Sequence, residues 1–348
     1  MKRLTLFPIL GCLLSALLFL PLTATAKGGY KSVSAGDKHV MVLKEDGTLW
    51  GWGACGNSQL GDSTRTYHRS PVKILDGVKQ VSAGRDHTMA ILDNGSLWGW
   101  GDNTRGQLGD GTTTKRKRPV KILDGVKQVS AGGVHTVAIL DDGTLWGWGN
   151  DIFGQLGDGT SLDGFTPDRT RPVKILDGVR QVSTVNCHTM AILNDGTLWG
   201  WGFNRNGELG DGTKTDHCRP VKILDGVKQV SAGGQHTMAI LNDGSLWGWG
   251  SNGAGQLGDG TTTFRTRPVK ILDGVKQVSA GDYHTMAILN DGTLWGWGHN
   301  KYGQLGDGTT TNRTRPVKIA DNVRDVACFE DYTIYITEDG ELMECGEL

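Results

Sequence analysis

What most constrains this chain is a period. His39, His87, His135, His188, His236 and His284 follow one another at intervals of 48, 48, 53, 48 and 48 residues, and Tyr332 stands 48 beyond the last. Each lies in a copy of one unit, which residues 275–321 spell out as VKQVSAGDYHTMAILNDGTLWGWGHNKYGQLGDGTTTNRTRPVKIAD. Self-similarity at a spacing of roughly 20 to 50 residues means a stacked or circular array of one supersecondary element. There are seven copies, and the single 53-residue interval is a five-residue insertion in the loop 159–171.

Four strands are legible in each copy. VKQVSAG and HTMAIL alternate in polarity, and an Asp-Gly or Asn-Gly pair then predicts a two-residue hairpin into TLWGWG. PVKIL opens on a proline, which cannot donate to a ladder and so belongs on an edge. Four short strands per copy without helical periodicity define an all-β fold, a seven-bladed β-propeller of four-stranded antiparallel blades. VKQVSAG is placed innermost because its Ala-Gly end tolerates crowding at the axis, and PVKIL outermost. The blades are then 31–76, 77–124, 125–177, 178–225, 226–273, 274–321 and 322–348. The last stops before any PVKIL segment, which predicts a three-stranded blade.

All twelve tryptophans lie in LWGWG, at 49, 97, 145, 198, 246 and 294. Alternation along a strand puts Trp50 and Trp52 on one face and Leu49, Gly51 and Gly53 on the other. Indoles of one sheet are expected to fill space left by glycines of the next. In the last copy Met343 and Cys345 replace the two tryptophans.

Residues 1–26 read as an export signal. Lys2 and Arg3 precede an apolar run to Leu22, and Ala24-Thr25-Ala26 forms a cleavage site. Ile9-Leu10-Gly11-Cys12 offers a weaker lipoprotein reading. No later apolar run approaches the ~20 residues of a transmembrane helix. The domain is therefore 27–348, with an extracellular or periplasmic location expected. With 36 basic against 37 acidic residues over the whole chain, charge does not favour a nucleic-acid partner. Beyond the leader, Cys55, Cys187, Cys218, Cys328 and Cys345 are one-off substitutions; two disulfides and a spare thiol would suit an oxidising compartment, with the pairing open.

Units of the form VSAG..HT.AIL..DG.LWGWG.N..GQLGDG, with GQLG at 106–109, 154–157, 255–258 and 303–306, resemble the regulator of chromosome condensation repeat family of seven-bladed propellers. The resemblance covers essentially all of 27–348. It implies this fold and a structural histidine near the start of the second strand. It leaves function open, since the family ranges from a nuclear nucleotide-exchange factor for a small GTPase to secreted bacterial propellers that bind proteins. The export signal and mild acidity favour the secreted bacterial type. The exchange activity draws partly on a wedge-like insertion, and five extra residues in blade 3 are too few for one.

The repeated motifs read as structure. Equivalent histidines on inner strands ~10 Å apart cannot share an ion, so no metal is expected. Six identical Trp pairs are blade packing rather than a sugar platform. Arg118, Arg171, Arg219, Arg267 and Arg315, each before a proline, are expected to pair with the aspartates of LDG or GDG. Lys115 to Arg118 read as a solvated loop. Because the Ser, His and Asp recur in every copy, no copy stands out as catalytic, and no enzyme and no cofactor are expected.

Function is expected where copies differ. Substitutions collect between the first and second strands and in the loop after WGWG, which emerge on the same side of an up-and-down blade. Tyr67, Arg105, Phe153, Phe165, Phe203, Phe264, Tyr283 and Tyr302 are the candidate binding residues on that face, because binding energy concentrates in aromatic and arginine side chains. The expected partner is another macromolecule, foremost a protein. The alternative is a carbohydrate or cell-envelope ligand, and less favoured still are an enzyme or an exchange factor.

Overall fold

A computed structural model describes residues 29–160 and 168–348. The export-signal reading of 1–26 and candidate residue Phe165 therefore lie outside the described residues. The described chain forms seven antiparallel sheets, six with four strands and the last with three. In the fifth blade the strands are Val227–Ala232, His236–Leu241, Leu246–Gly250 and Arg265–Leu272. The last blade has only Val323–Phe329, Tyr332–Thr337 and Leu342–Gly346. The first strand of each blade touches the first strand of its neighbours, and Tyr30–Ala35 meets Val323–Phe329 to close the ring. No helix among the described residues is long and apolar enough to cross a membrane.

Two local readings are corrected. The hairpin has three residues, not two: Leu92 N–H donates to Ser96 O around Asp93-Asn94-Gly95, and Gly95 alone has a positive φ, of 79°. A two-residue type I′ turn would need positive φ at both positions. The outer strand also begins three residues before its proline, as in Arg116–Leu123. Pro119 lies where the pairing shifts register between Gly99 and Gly101, so its missing N–H costs no regular ladder bond.

The core lies between the blades. Met41, Leu43, Leu49 and Leu60 of blade 1 pack against Val78, Val81, Ala83, Ala90 and Trp100 of blade 2, and this interface recurs around the ring. Both tryptophans of a copy thus face the preceding blade, as alternation requires. The glycine they meet differs from the expected one. A Cβ on Gly61, the last residue of SQLG, would lie 2.6 Å from Trp100 Cδ1, whereas Gly99 within WGWG faces Met89 of its own blade. The fully buried second indole seats against the preceding blade's loop, and its N–H donates to the Gln59 carbonyl at 2.9 Å. The half-buried first indole donates to its own hairpin, Trp98 to Ser96 at 3.0 Å.

The repeated histidine completes this lock. Thr88 donates its hydroxyl to Gln59 O at 2.7 Å and lies 3.0 Å from His39 Nε2. A hydroxyl has one proton, so Nε2 must be the donor to Thr88. Five more His–Thr pairs follow, from His87–Thr136 to His284–Thr333. At the closing seam both partners change together. Tyr332 replaces the histidine and Val40 the threonine, and the Tyr332 hydroxyl bonds to His39 O at 2.9 Å.

The arginine reading is corrected too. The GDG aspartates pair with the arginine two residues before the predicted one: Arg169 with Asp158 at 2.8 Å, Arg265 with Asp259 at 2.7 Å and Arg313 with Asp307 at 2.7 Å. The arginines before proline instead lie over the preceding blade's second GDG glycine, Arg171 over Gly111 and Arg267 over Gly212. The LDG aspartates take the lysine of PVKIL, as Lys73 does with Asp76. The cysteines form no disulfides: all five in the described residues are free. Cys55 and Cys328 are buried in separate interfaces, and burial pushes the Cys328 thiol up to about 12 and those of Cys187 and Cys345 up to about 11.

Candidate functional site

Strand register fixes which loops share an end of the ring. His39 pairs with Gly53, and Gly53 with His68, so the turn at 36–38 and the loop 54–67 emerge together. The same pairing recurs in the other four-stranded blades. Leu49 pairs with Leu75 at the opposite end, where the hairpins and LDG connections lie. The variable loops thus converge on one face.

A buried asparagine holds the base of four of the six long loops. Asn103 Oδ1 accepts from Leu108 N–H at 2.9 Å while its Nδ2 donates to Thr112 O and Thr114 O at 3.0 and 3.2 Å. Asn204, Asn252 and Asn300 do the same. In blade 3 the position is Asp151, whose burial raises its carboxyl to about 6. In blade 1 it is Cys55, whose thiol donates toward Asp62. With the base held by the loop's second residue, the tip residues are free to vary.

The described candidates stand on this face in two groups and three single positions, Tyr283 in the short turn 281–283 and the others in the long loops. Phe153 and Phe203, of adjacent blades, stand edge to face at 5.2 Å, and the Arg205 guanidinium lies 5.8 and 5.6 Å from their centroids. Tyr283 and Tyr302 flank His299, at ring distances of 6.3 and 5.9 Å. Tyr67 and Phe264 project 54% and 41% exposed. Arg105 is exposed, 3.5 Å from Asp168. Ile152, Arg205 and His299 were missed. Ile152 and Arg205 were legible as further one-off residues beside Phe153 and Phe203, but the place of His299 between two tyrosines depends on tertiary structure.

A second missed group lies at the axis. The residue after the inner strand's glycine, or after Val185 in blade 4, is Asp37, Arg85, Gly133, Asn186, Gly234 or Asp282 in the first six blades, and Glu330 follows Phe329 in the last. Three carboxylates thus come from consecutive blades across the seam. Burial raises the Asp282 carboxyl to about 6, with Asp37 adding repulsion. Burial and a hydrogen bond to Asp37 hold Glu330 well above the carboxylate range. Glu330 also has a φ of 35°, an uncommon conformation for a side-chain-bearing residue.

Comparison with known proteins places this geometry in a family. The model of the RCC1-like domain matches residues 15–237, and models of the regulator of chromosome condensation (RCC1) repeat match 227–256 with 275–304, and 243–288 with 291–336. No curated protein matches the sequence significantly. Human WBSCR16 is similar in structure, with 25% identity over 93% of this chain and 88% of that one, at a TM-score of 0.80. Prp20p from Saccharomyces cerevisiae, whose structure was described with its binding to Gsp1p and histones, is 21% identical over 92% and 83%, at 0.75. The ectodomain of the Arabidopsis thaliana receptor kinase ACR4 shares the fold more distantly, at 15% identity over 89% and 91% and a TM-score of 0.52. With more than half of its length matched by one model and the predicted ring of blades in place, the chain belongs to the RCC1-like domain family.

Proposed function

We propose that the chain is an exported binding module that holds another protein on the face carrying the long loops, and that it performs no chemistry of its own. One observation carries the reading. The exposed large apolar side chains of the described residues, Tyr67, Ile152, Phe264, Tyr283 and Tyr302, all stand at this end of the ring. Drift in unconstrained loops would distribute such residues over both ends, and apolar groups cluster on one face where a partner covers them. The rigid loop bases favour binding too, since little ordering entropy remains to be lost on association. Prp20p, a structural relative, binds proteins. The repeated His, Thr and Arg are used up in locks within and between blades, which leaves no set of them for catalysis.

The test is capture of the partner from the native secretome followed by alanine substitution. Tyr283→Ala and Tyr302→Ala should each cost roughly 1 to 4 kcal/mol of binding if they are central anchors. Phe153→Ala should cost a comparable amount, since it also removes the ring that Phe203 and Arg205 pack on. Thr113→Ala, exposed on the same face, is the control. Four equal affinities with folding intact would refute the assignment and redirect the search to the Asp-Gly face. Retention on glycans with no protein captured would favour a carbohydrate or cell-envelope ligand. N-terminal sequencing of secreted material should start at residue 27.

A further inference from the structure

Each long loop carries a side-chain latch, and in blade 6 the latch closes on a histidine. The side-chain oxygen of the glutamine or glutamate in QLG or ELG accepts from the N–H two positions earlier. It thereby holds the variable tip residue, which is Asn57, Arg105, Phe153, Asn206, Ala254 or Tyr302. In four loops the amide nitrogen also donates to the loop's first residue. That acceptor is Asp102 at 2.7 Å, Asn150 at 2.9 Å, Ser251 at 3.4 Å or His299 Nδ1 at 2.7 Å. In blade 6 Gln304 is fully buried, and its oxygen takes Tyr302 N–H at 3.1 Å. A backbone N–H only donates, which fixes the amide: its nitrogen faces Nδ1, and Nδ1 is the unprotonated acceptor.

We propose that protonation of His299 releases this latch, so that the loop face loses affinity for its protein partner as pH falls from about 8 to about 5.5, the range in which histidine changes charge. The inference rests on the reading of that face as a protein-binding surface and names how it is regulated. Asp331 Oδ1 lies 3.3 Å from Nδ1 and 3.0 Å from the Gln304 nitrogen. Gln304 and Asp331 therefore compete for one atom. Neutral Nδ1 accepts from the amide, whereas protonated Nδ1 donates to the carboxylate in a charge-assisted bond. Its proton then opposes the amide hydrogens across 2.7 Å, and Gln304 must withdraw or turn its amide over. Both moves take the oxygen from Tyr302 N–H. The rings of Tyr302 and Tyr283 pack on His299 from 5.9 and 6.3 Å, so both exposed tyrosines rest on the group that changes charge.

The other charged groups nearby are separable from it. His284, one strand inward, is held down to about 3 by burial and stays neutral, and burial raises the Tyr283 hydroxyl, which stays neutral too. Lys301 is next but one along the loop. Asp282, which burial raises to about 6, and Glu330, held above the carboxylate range, adjoin Tyr283 and Asp331 in the chain and take up protons in the same interval.

The test uses the full chain labelled with 15N-tyrosine, in which Tyr302→Phe identifies the Tyr302 amide signal. In the wild type that signal should pass through one transition between about pH 8 and pH 5.5. His299→Asn supplies the acceptor that Asn150 already provides in blade 3, and should abolish the transition while Asp282 and Glu330 still titrate. Should it lose its near-ultraviolet circular dichroism, His299→Ser, the arrangement of blade 5, serves in its place. Asp331→Asn should move the midpoint to lower pH, since the anion that favours the charged ring is gone. The captured partner should bind the wild type at least tenfold more weakly at the acid end of the range, and His299→Asn less than threefold more weakly. A Tyr302 signal that stays still, or moves equally in His299→Asn, overturns the inference. Affinity independent of pH overturns it as well, and weakened capture by Tyr283→Ala would then still uphold the protein-binding face.

Discussion

At the scale of the residue, the six repeated histidines are the most consequential groups, and their environment sets a pH dependence. Burial holds His39, His135, His236 and His284 down to about 3, and His87 and His188 down to about 4, so all are neutral donors to threonine at neutral pH. In the unfolded chain the same rings titrate near 6.5. Their contribution is therefore present above pH ~6.5 and is lost as pH falls from there toward 4, by roughly 1 kcal/mol per pH unit for each ring. The raised carboxyls of Asp151 and Asp282 act in the opposite sense between about pH 4 and 6, so the net slope is shallower than the rings alone would give. A difference between variants isolates one ring. His236→Leu should cost about 1 to 3 kcal/mol at pH 7.5, since Thr285 loses its donor, and the deficit in melting temperature should shrink as pH falls from 7 to 5. A deficit that stays constant over that range would show that the ring is not held neutral.

At the scale of the element, each blade is held by what its neighbour inserts, and the incomplete blade supplies an internal control. Gly207 and Gly303 occupy the same place in their loops, with φ of 86° and 75°, but only Gly207 faces an outer strand, where an added Cβ would lie 2.9 Å from Thr266 Cα. Alanine at either position pays for a left-handed backbone, about 1 to 2 kcal/mol. At Gly207 it must also displace backbone, which adds roughly 1 to 3 kcal/mol. Chemical denaturation should therefore find Gly207→Ala clearly the more destabilised; equal losses would mean that the last blade does have an outer strand. The same contrast explains what the sequence disclosed. Strand count, blade count and the missing strand follow from alternation and period, which are properties of one copy. The partners across blades do not. Trp100 seats on Gly61 through a loop some forty residues earlier, and the arginine that meets the GDG aspartate stands two positions from the expected one, because both depend on how neighbouring sheets are rotated. The axial carboxylates were hidden for the same reason: Asp37, Asp282 and Glu330 are far apart in the chain and become a group only when the ring closes.

At the scale of the whole molecule, closure is made by side chains instead of a shared sheet. Tyr30, Val40, Val42 and Trp52 of the first blade pack with Phe329, Tyr332, Ile334 and Ile336 of the last, and Asp325 accepts from Val33 N–H at 3.2 Å. Among the described residues the last blade offers Trp52 no QLG carbonyl, and its indole donates to the half-buried Glu344. On the other side Tyr335, Met343 and Cys345 take the place of the residues that elsewhere bring two indoles to the interface. The seam is thus well filled near the axis, around Tyr332, and poor toward the rim, where Leu342–Gly346 is an edge strand with a side left unpaired among the described residues. Local opening follows low contact density and exposed backbone bonds, so the ring should open from the rim of its last blade inward. Native-state hydrogen exchange checks the order. Amides of Leu342–Gly346 should exchange first, then those of Tyr332–Thr337. The latter should exchange at least tenfold faster than those of His236–Leu241, a difference of ~1.4 kcal/mol in opening free energy. If Tyr332–Thr337 proves as protected as His236–Leu241, the axial contacts alone hold the last blade as firmly as a fourth strand and a full set of indoles hold the fifth.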